Sequence, residues 1–282
     1  MKLLRFGPPG REKPGLLDAA GRMRDASSLV PDWAGEALSP ASLARLRTVD
    51  PASLPLVPEG VRLGPPVAGT RNFVAIGLNY ADHAAETGSP IPKEPIVFLK
   101  SLNAIAGPND DIVLPPGSVK TDWEAELAFC IGTRAKNVPE ERALEHIAGY
   151  LICNDVSERE WQIERGGTWD KGKGADGYGP LGPWLVTPDE VPDPQNLWIR
   201  CEVDGQVMQD GSTRTMIFGV AHLLSYVSRF ITLHPGDIVT TGTPPGVGLG
   251  KKPQPIFLRP GNVVRVAIEG LGVQTQRVVR GE

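Results

Sequence analysis

Three carboxylates lie within or at the end of two strand-like runs. The segment TDWEAELAFCIG contains Glu124 and Glu126, and the apolar run GYLICND ends in Asp155. Because side chains alternate along a strand, Glu124 and Glu126 share one face with Ala128 and Cys130. A solvated face usually stays polar along its length. Two acids followed by small apolar residues therefore indicate a cleft that is open at one end.

These acids have the chemistry of a metal site. Two carboxylates about 7 Å apart on one strand face repel each other when partly buried, and a divalent cation between them removes that cost. Asp155 would supply a third oxygen ligand. Oxygen-only ligation favours Mg²⁺ or Mn²⁺, with Ca²⁺ as a further option, over zinc. The alternative is an exposed strand edge whose acids form salt bridges, and the two-acid pattern by itself favours that alternative.

A candidate general base lies upstream, in GLNYADHAAETG. His83 and Glu86 are three residues apart, so on a short helix they lie on one face. A carboxylate beside an imidazole orients the ring and raises its basicity, as a general base requires. Gly77 and Gly88 bracket the segment and could make it mobile. The alternative is an ordinary turn of surface helix.

Two more polar residues follow Asp155 in SEREWQIER. This segment predicts a short helix, with Ser157 as the N-cap and Glu160 completing a capping box. Arg159 and Gln162 are three residues apart on that helix and could reach the same site. The alternative is that both belong to a solvated helix face.

Glycine-rich segments supply further candidates. Residues 165–183 hold seven glycines together with Lys171 and Lys173, which predicts a loop too long to be only a connection. The order GxxxxGK[ST] is missing, so nucleotide binding is rejected. A lysine here could pair with a substrate carboxylate or an enolate. A second loop, TTGTPPGVGLG (240–250), could line a site with its backbone N–H groups or with Thr243.

The elements that must position these side chains are mostly short strands. Lys100 ends one of them, PIVFLK, and WIRCEV-DG-QVMQ predicts a hairpin with an Asp-Gly turn. Other strand-like runs are 72–78, 111–115, 124–132, 149–155, 237–242, 262–268 and 273–279, and helices are predicted over 139–148 and 216–231. Strands outnumber helices and no βαβ order repeats, so the fold class is a β-rich α+β. Residues 1–65 are predicted to be a small N-terminal module with a linker, and 66–282 the catalytic body.

Composition excludes several classes of protein. The 282 residues carry a net charge of −4, with Lys and Arg spread along the chain, which argues against nucleic acid as a partner. The chain contains no apolar run of membrane-spanning length and does not begin like a secretory signal, so we expect a cytoplasmic protein.

Three cysteines without a CxxC motif indicate buried thiols rather than disulfides or zinc. His146, His222 and His234 are interpreted as structural.

The motifs together resemble the fumarylacetoacetate hydrolase family. GLNYADHAAE, PIVFLK, DWEAELAFCIG, NDVSEREWQ, KGKGADGYGPLGP, QDGSTRTMIF and GTPPGVG follow the family's order over about residues 70–268. The resemblance implies a mixed β-sandwich roll or distorted barrel, a homodimer or higher homo-oligomer, and a Mg²⁺ or Mn²⁺ site acting on 2-oxo acids. It implies metal ligands at Glu124, Glu126 and Asp155, a water-activating pair at His83 and Glu86, a catalytic Lys173, and substrate-binding positions at Lys100, Arg159, Gln162 and Thr243.

Within the family, NDVSEREWQIERGGTWDKGKG looks most like the sugar-acid branch, which includes 2,4-diketo-3-deoxy-L-rhamnonate hydrolases, and acylpyruvate hydrolases are similar. Residues 174–178 read GADGY, where the family commonly has Ser or Cys before the Asp and a Thr–Phe pair after it. The resemblance implies hydrolysis of the C3–C4 bond of a 2,4-diketo acid to pyruvate and a second acid such as lactate. The alternatives are an oxaloacetate decarboxylase, a 2-oxo acid isomerase or dehydratase, a non-catalytic protein that binds small acids, and a scaffold with a vestigial site.

Overall fold

Short β-strands make up most of the regular structure in the computed structural model, which describes residues 1–282. The strands are β1 (Lys2–Phe6), β2 (Lys13–Leu17), β3 (Met23–Asp25), β4 (Leu63–Gly64), β5 (Phe73–Gly77), β6 (Ile96–Leu99), β7 (Ile105–Ala106), β8 (Ile112–Leu114), β9 (Thr121–Asp122), β10 (Ala125–Ile131), β11 (Ile147–Asn154), β12 (Ser157–Glu158), β13 (Gly179–Val186), β14 (Trp198–Val203), β15 (Gln206–Ser212), β16 (Ile238–Thr240), β17 (Val263–Ile268) and β18 (Gly272–Arg280). The α-helices are α1 (Pro40–Leu46), α2 (Ala81–Thr87), α3 (Asp170–Lys173) and α4 (Val220–Phe230), and a π-helical turn covers Glu160–Glu164. The 3₁₀ turns are Gly35–Leu38, Pro51–Ser53, Leu102–Ala104, Glu140–His146, Pro188–Glu190, Thr213–Thr215 and Gly248–Gly250.

Two mixed sheets carry the fold. The larger has the order β3-β2-β1-β13-β11-β10-β16-β5-β6, with β4 beside β1 and β7 beside β13. The smaller has the order β15-β14-β17-β18-β8, and β9 and β12 form a separate ribbon. A shared apolar core contains residues from both sheets, so the sheets pack face to face. The predicted β-rich α+β class is confirmed.

Strand β10 lies in the middle of this arrangement and is buried along its whole length. Its alternation divides it between two cores: Leu127 and Phe129 belong to the core between the sheets, whereas Ala128 and Cys130 belong to a second core beneath the N-terminal residues. The face that begins with Glu126 is therefore covered at its apolar end. All three cysteines of the chain are buried free thiols, as predicted.

The N-terminal residues cover the far face of the larger sheet. Strand β1 pairs with β13, with Leu3 opposite Leu185, so strands from both sides of residue 65 share one sheet. Trp33 is fully buried in the second core, and its indole nitrogen donates a hydrogen bond to the Leu4 carbonyl at 2.9 Å. The division of the chain at residue 65 stays a prediction.

The helix predictions need correction at two places. Residues 140–146 form a 3₁₀ turn rather than an α-helix, because β11 begins at Ile147 and pairs with β10. The capping box at Ser157 is wrong. Ser157 pairs with Asp122 in the β9–β12 ribbon, and its hydroxyl donates to the Asp155 carbonyl at 2.8 Å instead of capping a helix.

Two other segments differ at their boundaries. The helix predicted from residue 216 begins at Val220, because the N–H groups of Ile217 and Phe218 donate to the backbone and side-chain oxygens of Asn79. Within 165–183, a single helical turn and the start of β13 interrupt the predicted loop, which remains over residues 165–169 and 174–178. The Asp-Gly hairpin is confirmed, with positive φ angles of 52° at Asp204 and 76° at Gly205.

The longest α-helix, α4, has 11 residues. No helix of this chain has the length and apolar character needed to cross a bilayer.

Candidate active site

The strand register brings the three acids into one buried cluster. In the antiparallel pair of β10 and β11, Ala125 lies opposite Asn154, which sets Glu124 opposite Asp155 just beyond the strand ends. The backbone N–H of Asp155 donates to the Glu124 carbonyl at 2.8 Å. One carboxylate oxygen from each of Glu124, Glu126 and Asp155 lies within 4.8 Å of the others, and all three side chains are buried. The predicted cluster therefore forms.

Cationic side chains neutralise two of the three acids. The Lys173 ammonium lies 2.6 Å from a Glu124 oxygen and 2.8 Å from an Asp155 oxygen. The remaining oxygens pair with Arg159 at 2.7 Å on Glu124 and with Lys100 at 2.5 Å on Asp155. Burial alone would raise the pKa of Glu124. The charges of Lys173 and Arg159 outweigh it and hold that pKa at about 2.

Glu126 is the exception, because it forms no ion pair. One of its oxygens accepts a hydrogen bond from the Gly242 N–H at 3.0 Å. Burial raises the pKa of Glu126 well above its usual range, and the neighbouring charges of Asp155 and Glu124 raise it further. No lysine or arginine forms an ion pair with this buried carboxylate, and the nearby charge of Lys173 offsets only part of the crowding. This oxygen-only donor set fits a hard divalent cation such as Mg²⁺ or Mn²⁺.

The predicted contact between His83 and Glu86 also forms. His83 and Glu86 lie on α2, and the His83 Nδ1 is 3.0 Å from a Glu86 oxygen. Glu86 also accepts a hydrogen bond from the Gly246 N–H at 3.0 Å, and a side chain at Gly250 would collide with its carboxylate. The 240–250 loop thus holds Glu86 in place. An N–H donated from Nδ1 to Glu86 leaves Nε2 able to accept a proton.

A cavity of about 260 Å³ joins Glu124 and Glu126 to the His83 imidazole. Of the predicted residues, those that line it are His83, Glu124, Glu126, Arg159, Gln162, Lys173 and Thr243. Glu86, Lys100 and Asp155 do not line this cavity, but each contacts a residue that does or a neighbouring acid. The acids and the imidazole therefore face one cavity.

The predicted substrate-side residues differ in where their polar atoms point. The Arg159 guanidinium donates to the Gln162 amide oxygen at 3.1 Å, and the Thr243 hydroxyl donates to the Ala125 carbonyl at 2.9 Å. The Lys100 ammonium donates to Asp155 and to two backbone carbonyls, those of residues 156 and 173. Its donors thus hold the Asp155 carboxylate, and a direct contact between Lys100 and substrate stays a prediction.

Asp122 is a functional candidate that the sequence interpretation missed. It is fully buried, and it accepts hydrogen bonds from Arg159 Nε at 2.8 Å and from the backbone N–H groups of Gly248 at 2.6 Å and Leu249 at 3.0 Å. Asp122 therefore fixes Arg159 and the 240–250 loop at once. The sequence contained a signal for Asp122: it lies two residues before Glu124, so strand alternation places both side chains on the same face.

An aromatic wall was also missed. Trp169 packs closely against Gly77, where an added Cβ would approach the indole to 2.3 Å, and it meets Phe98 edge to face at 5.3 Å between ring centroids. The Phe98 ring lies 5.4 Å from the Lys173 ammonium. The sequence hint is the tryptophan four residues before Lys173, but nothing in the sequence reveals its partner at residue 77.

Comparison with known proteins identifies the family of this chain. The family described as Fumarylacetoacetate (FAA) hydrolase C-terminal matches residues 72–279. A protein of Burkholderia cenocepacia, whose name says no more about activity than hydrolase, is 64% identical over 276 residues, which is 98% of each chain.

Solved structures extend this similarity to the whole fold. A fumarylacetoacetate hydrolase from Exiguobacterium antarcticum superposes with a TM-score of 0.85 at 36% identity, and a 5-carboxymethyl-2-hydroxymuconate delta-isomerase from Mycobacterium smegmatis with 0.77 at 35%. A maleylpyruvate hydrolase from Sphingobium sp. SYK-6, in complex with manganese(II) and pyruvate, gives 0.80 at 27%. Each comparison covers all of both chains. With hydrolases and an isomerase among its relatives, the chain is an enzyme of the fumarylacetoacetate hydrolase family.

Proposed function

We propose that this enzyme is a metal-dependent hydrolase that cleaves the C3–C4 bond of a 2,4-diketo acid, giving pyruvate and a second carboxylic acid. One observation carries the proposal: a single cavity has Glu124 and Glu126 on one wall and the His83 imidazole, held by Glu86, on another. A reaction that needs both a metal-held 2-oxo acid and an activated water needs both walls. The manganese and pyruvate bound to the maleylpyruvate hydrolase support the assignment.

The protein side chains divide the work. Glu124, Glu126 and Asp155 would hold Mg²⁺ or Mn²⁺, with Ca²⁺ as a further option, and the bound ion would supply Lewis-acid stabilisation of negative charge on the 2-oxo acid. His83, oriented by Glu86, takes a proton from water. The hydroxide adds to the C4 carbonyl and the C3–C4 bond breaks. Its electron pair goes to C3 as the enolate of pyruvate, which then takes up a proton at C3.

Several neighbours are assigned to substrate binding. Two of the three Lys173 N–H donors meet Glu124 and Asp155, which leaves one for a substrate oxygen as charge develops. The Gln162 amide oxygen accepts from Arg159, so its NH₂ group is available to the substrate. We assign Arg159, Gln162 and Thr243 to substrate binding. We assign Lys100 to the support of the Asp155 carboxylate and, through it, to substrate binding.

For the substrate we propose a sugar-derived 2,4-diketo-3-deoxy acid such as 2,4-diketo-3-deoxy-L-rhamnonate, which would give pyruvate and lactate, and for the assembly a homodimer or higher homo-oligomer. The test is purified enzyme with Mg²⁺ or Mn²⁺ and a panel of diketo sugar acids, acylpyruvates and oxaloacetate, with products identified by NMR. We expect pyruvate and a second acid from a diketo acid, and loss of turnover on chelation. Turnover that survives chelation would contradict the metal role.

The same panel separates a second candidate, isomerisation of a 2-oxo acid. It is favoured by the similarity to the Mycobacterium smegmatis delta-isomerase over the whole chain. An isomerase would move a proton without breaking a carbon–carbon bond, and a decarboxylase would release CO₂ from oxaloacetate. A protein that only binds small acids would be stabilised by oxalate in a thermal-shift assay yet turn over none of the panel.

A further inference from the structure

We propose that the outer end of the cavity selects an uncharged substrate tail, so that the enzyme acts on 2-oxo acids carrying one carboxylate and rejects those with a second carboxylate at the far end. The inference rests on the proposed function for one point only, which is that the 2-oxo acid group binds beside Glu124 and Glu126. The tail beyond C4 then points toward the opening.

The distribution of positive charge is the first argument. The cavity is lined by one arginine, Arg159, and one lysine, Lys173, and both lie at the acid cluster. The Arg159 guanidinium is held at the inner end by Asp122, Glu124 and Gln162. No lysine or arginine therefore remains at the outer end to pair with a tail carboxylate.

Two cations that are near in sequence are directed elsewhere. Arg165 is exposed and pairs with Glu160 at 2.5 Å. Lys171 lines a separate cavity together with Leu99 and Ser101. The Glu86 carboxylate, held against His83 on the helix that also carries Thr87, lies close to this part of the cavity, and its charge would repel a second substrate carboxylate.

The lining of the outer end is the second argument. Its walls are the side chains of Ile163, Leu249 and Trp169, with the hydroxyl-bearing residues Thr87 and Ser89 at the rim. Ile163 is 54% exposed, which marks this end as the opening. A carboxylate placed against this surface would lose water without gaining a partner, whereas a methyl, alkyl or hydroxylated carbon chain would not.

Trp169 fixes the shape of this end. The indole lies over Gly77, and its edge-to-face contact with Phe98 continues the apolar surface toward Lys173. Trp169 directly precedes α3, the helix that ends in Lys173, so the wall and the ammonium are connected by one helical turn. An aromatic face of this kind packs against the C–H groups of a neutral tail.

The test compares two substrates of equal chain length, 2,4-dioxoheptanoate and 2,4-dioxoheptanedioate, which differ by a terminal methyl group against a terminal carboxylate. With Mg²⁺ present, we expect kcat/KM to be about 100-fold higher for the monocarboxylate, because the tail carboxylate is desolvated and unpaired. Equal values, or a preference for the dicarboxylate, would overturn the inference.

A variant pair tests where the tail lies. Ile163→Lys adds a positive charge at the opening and should shift the dicarboxylate-to-monocarboxylate ratio of kcat/KM by about 10-fold toward the dicarboxylate. Ile163→Met, with similar length and no charge, should leave the ratio as in the wild type. If the two variants give the same ratio, the tail does not pass Ile163 and the assignment is wrong.

A binding measurement separates this inference from the proposed reaction. Calorimetry with 2-oxopentanoate and 2-oxoglutarate in the presence of Mg²⁺ needs no turnover, and we expect the monocarboxylate to bind about 10-fold more tightly. If neither dioxo acid is cleaved, the proposed hydrolysis fails, yet this binding order would still support selection of a neutral tail. Tighter binding of 2-oxoglutarate would overturn the selection even if hydrolysis proceeds.

Discussion

The inner and outer ends of the same cavity are built in opposite ways. At the inner end, acids at the ends of two paired central strands are buried, and Glu124 and Asp155 have both carboxylate oxygens in ion pairs. At the outer end, a two-turn helix and the segment around Trp169 present half-exposed side chains with few hydrogen bonds. The register of a buried sheet fixes the inner end, while short segments that can vary independently shape the outer end.

This difference predicts two kinds of mutational behaviour. At the inner end, each charge supports another, so a substitution should change chemistry, metal affinity and the free energy of unfolding together. At the outer end, side chains contact the cavity without holding the core, so a substitution should change selectivity and leave stability nearly intact.

The largest effect is expected from Glu126→Gln, because Glu126 is the acid without an ion pair. Loss of its charge should lower metal affinity and reduce metal-dependent turnover by a factor of about 10³ or more. The metal-free protein should be as stable as the wild type or more stable, because a buried repulsion is removed. Titration with Mn²⁺ and thermal unfolding without metal measure both changes. A large loss of metal-free stability would show that Glu126 has a structural role instead.

The second-largest effect is expected at His83 and Glu86, which lie between the inner and outer ends of the cavity. His83→Ala should lower kcat by about 10²–10⁴-fold, because water loses its general base. Metal binding should remain, since His83 contacts Glu86 rather than the acid cluster. Calorimetry with Mn²⁺ and steady-state kinetics make the comparison. His222→Ala, at a half-buried histidine on α4 that pairs with Glu140, is the matched control and should leave kcat unchanged. Turnover like that of the wild type in His83→Ala would refute the base assignment.

How much of the site could be predicted depends on how local its determinants are. Alternation within one strand was enough to place Glu124 and Glu126 together, and spacing within one helix was enough for His83 and Glu86. The position of Asp155 opposite Glu124 depends on a strand pairing that no local pattern specifies. The resemblance to a known family supplied that link.

Contacts made by long side chains were the least predictable. Lys100 ends a strand, but its sequence context does not reveal that its ammonium meets Asp155 rather than the cavity. The capping box at Ser157 failed for a related reason, because pairing of Ser157 with Asp122 outweighed a local helix preference. Local patterns thus give the residue types of the site, while tertiary pairing gives their partners.

Asp122 offers a test of coupling at the inner end. Asp122→Asn leaves the fully buried Arg159 with one charged partner fewer, and such a loss costs about 3–5 kcal/mol in the free energy of unfolding. Turnover should fall as well, because Arg159 and the 240–250 loop lose their common anchor. Asp189→Asn removes an exposed pair with Arg47 and should cost at most about 1 kcal/mol. Similar costs for the two variants, measured by urea unfolding, would contradict the buried pairing.

The pH dependence of the metal-free protein should show the same crowding of acids. Burial and two neighbouring carboxylates raise the pKa of Glu126, so the folded protein holds its proton more tightly than the unfolded chain does. Stability from this group is complete at acidic pH and is lost as pH rises above the unfolded value of about 4.3 toward the folded pKa. Glu126→Gln should remove that loss. Unfolding midpoints from pH 5 to 8, with and without metal, would reveal it, and identical curves for both proteins would exclude it.

The smallest effects belong to the outer end, where Trp169→Phe and Trp169→Ala form a graded pair. Phenylalanine keeps an aromatic face against Gly77 and should lower kcat/KM for a neutral-tailed substrate by less than about threefold, whereas alanine should lower it by about tenfold through KM. Neither change should alter metal affinity, because Trp169 contacts Phe98 and Gly77 rather than an acid. Both variants should unfold within about 1 kcal/mol of the wild type, since the indole is partly exposed. If alanine instead reduces kcat and metal affinity together, the wall is coupled to Lys173 through α3, and the two ends of the cavity are not independent.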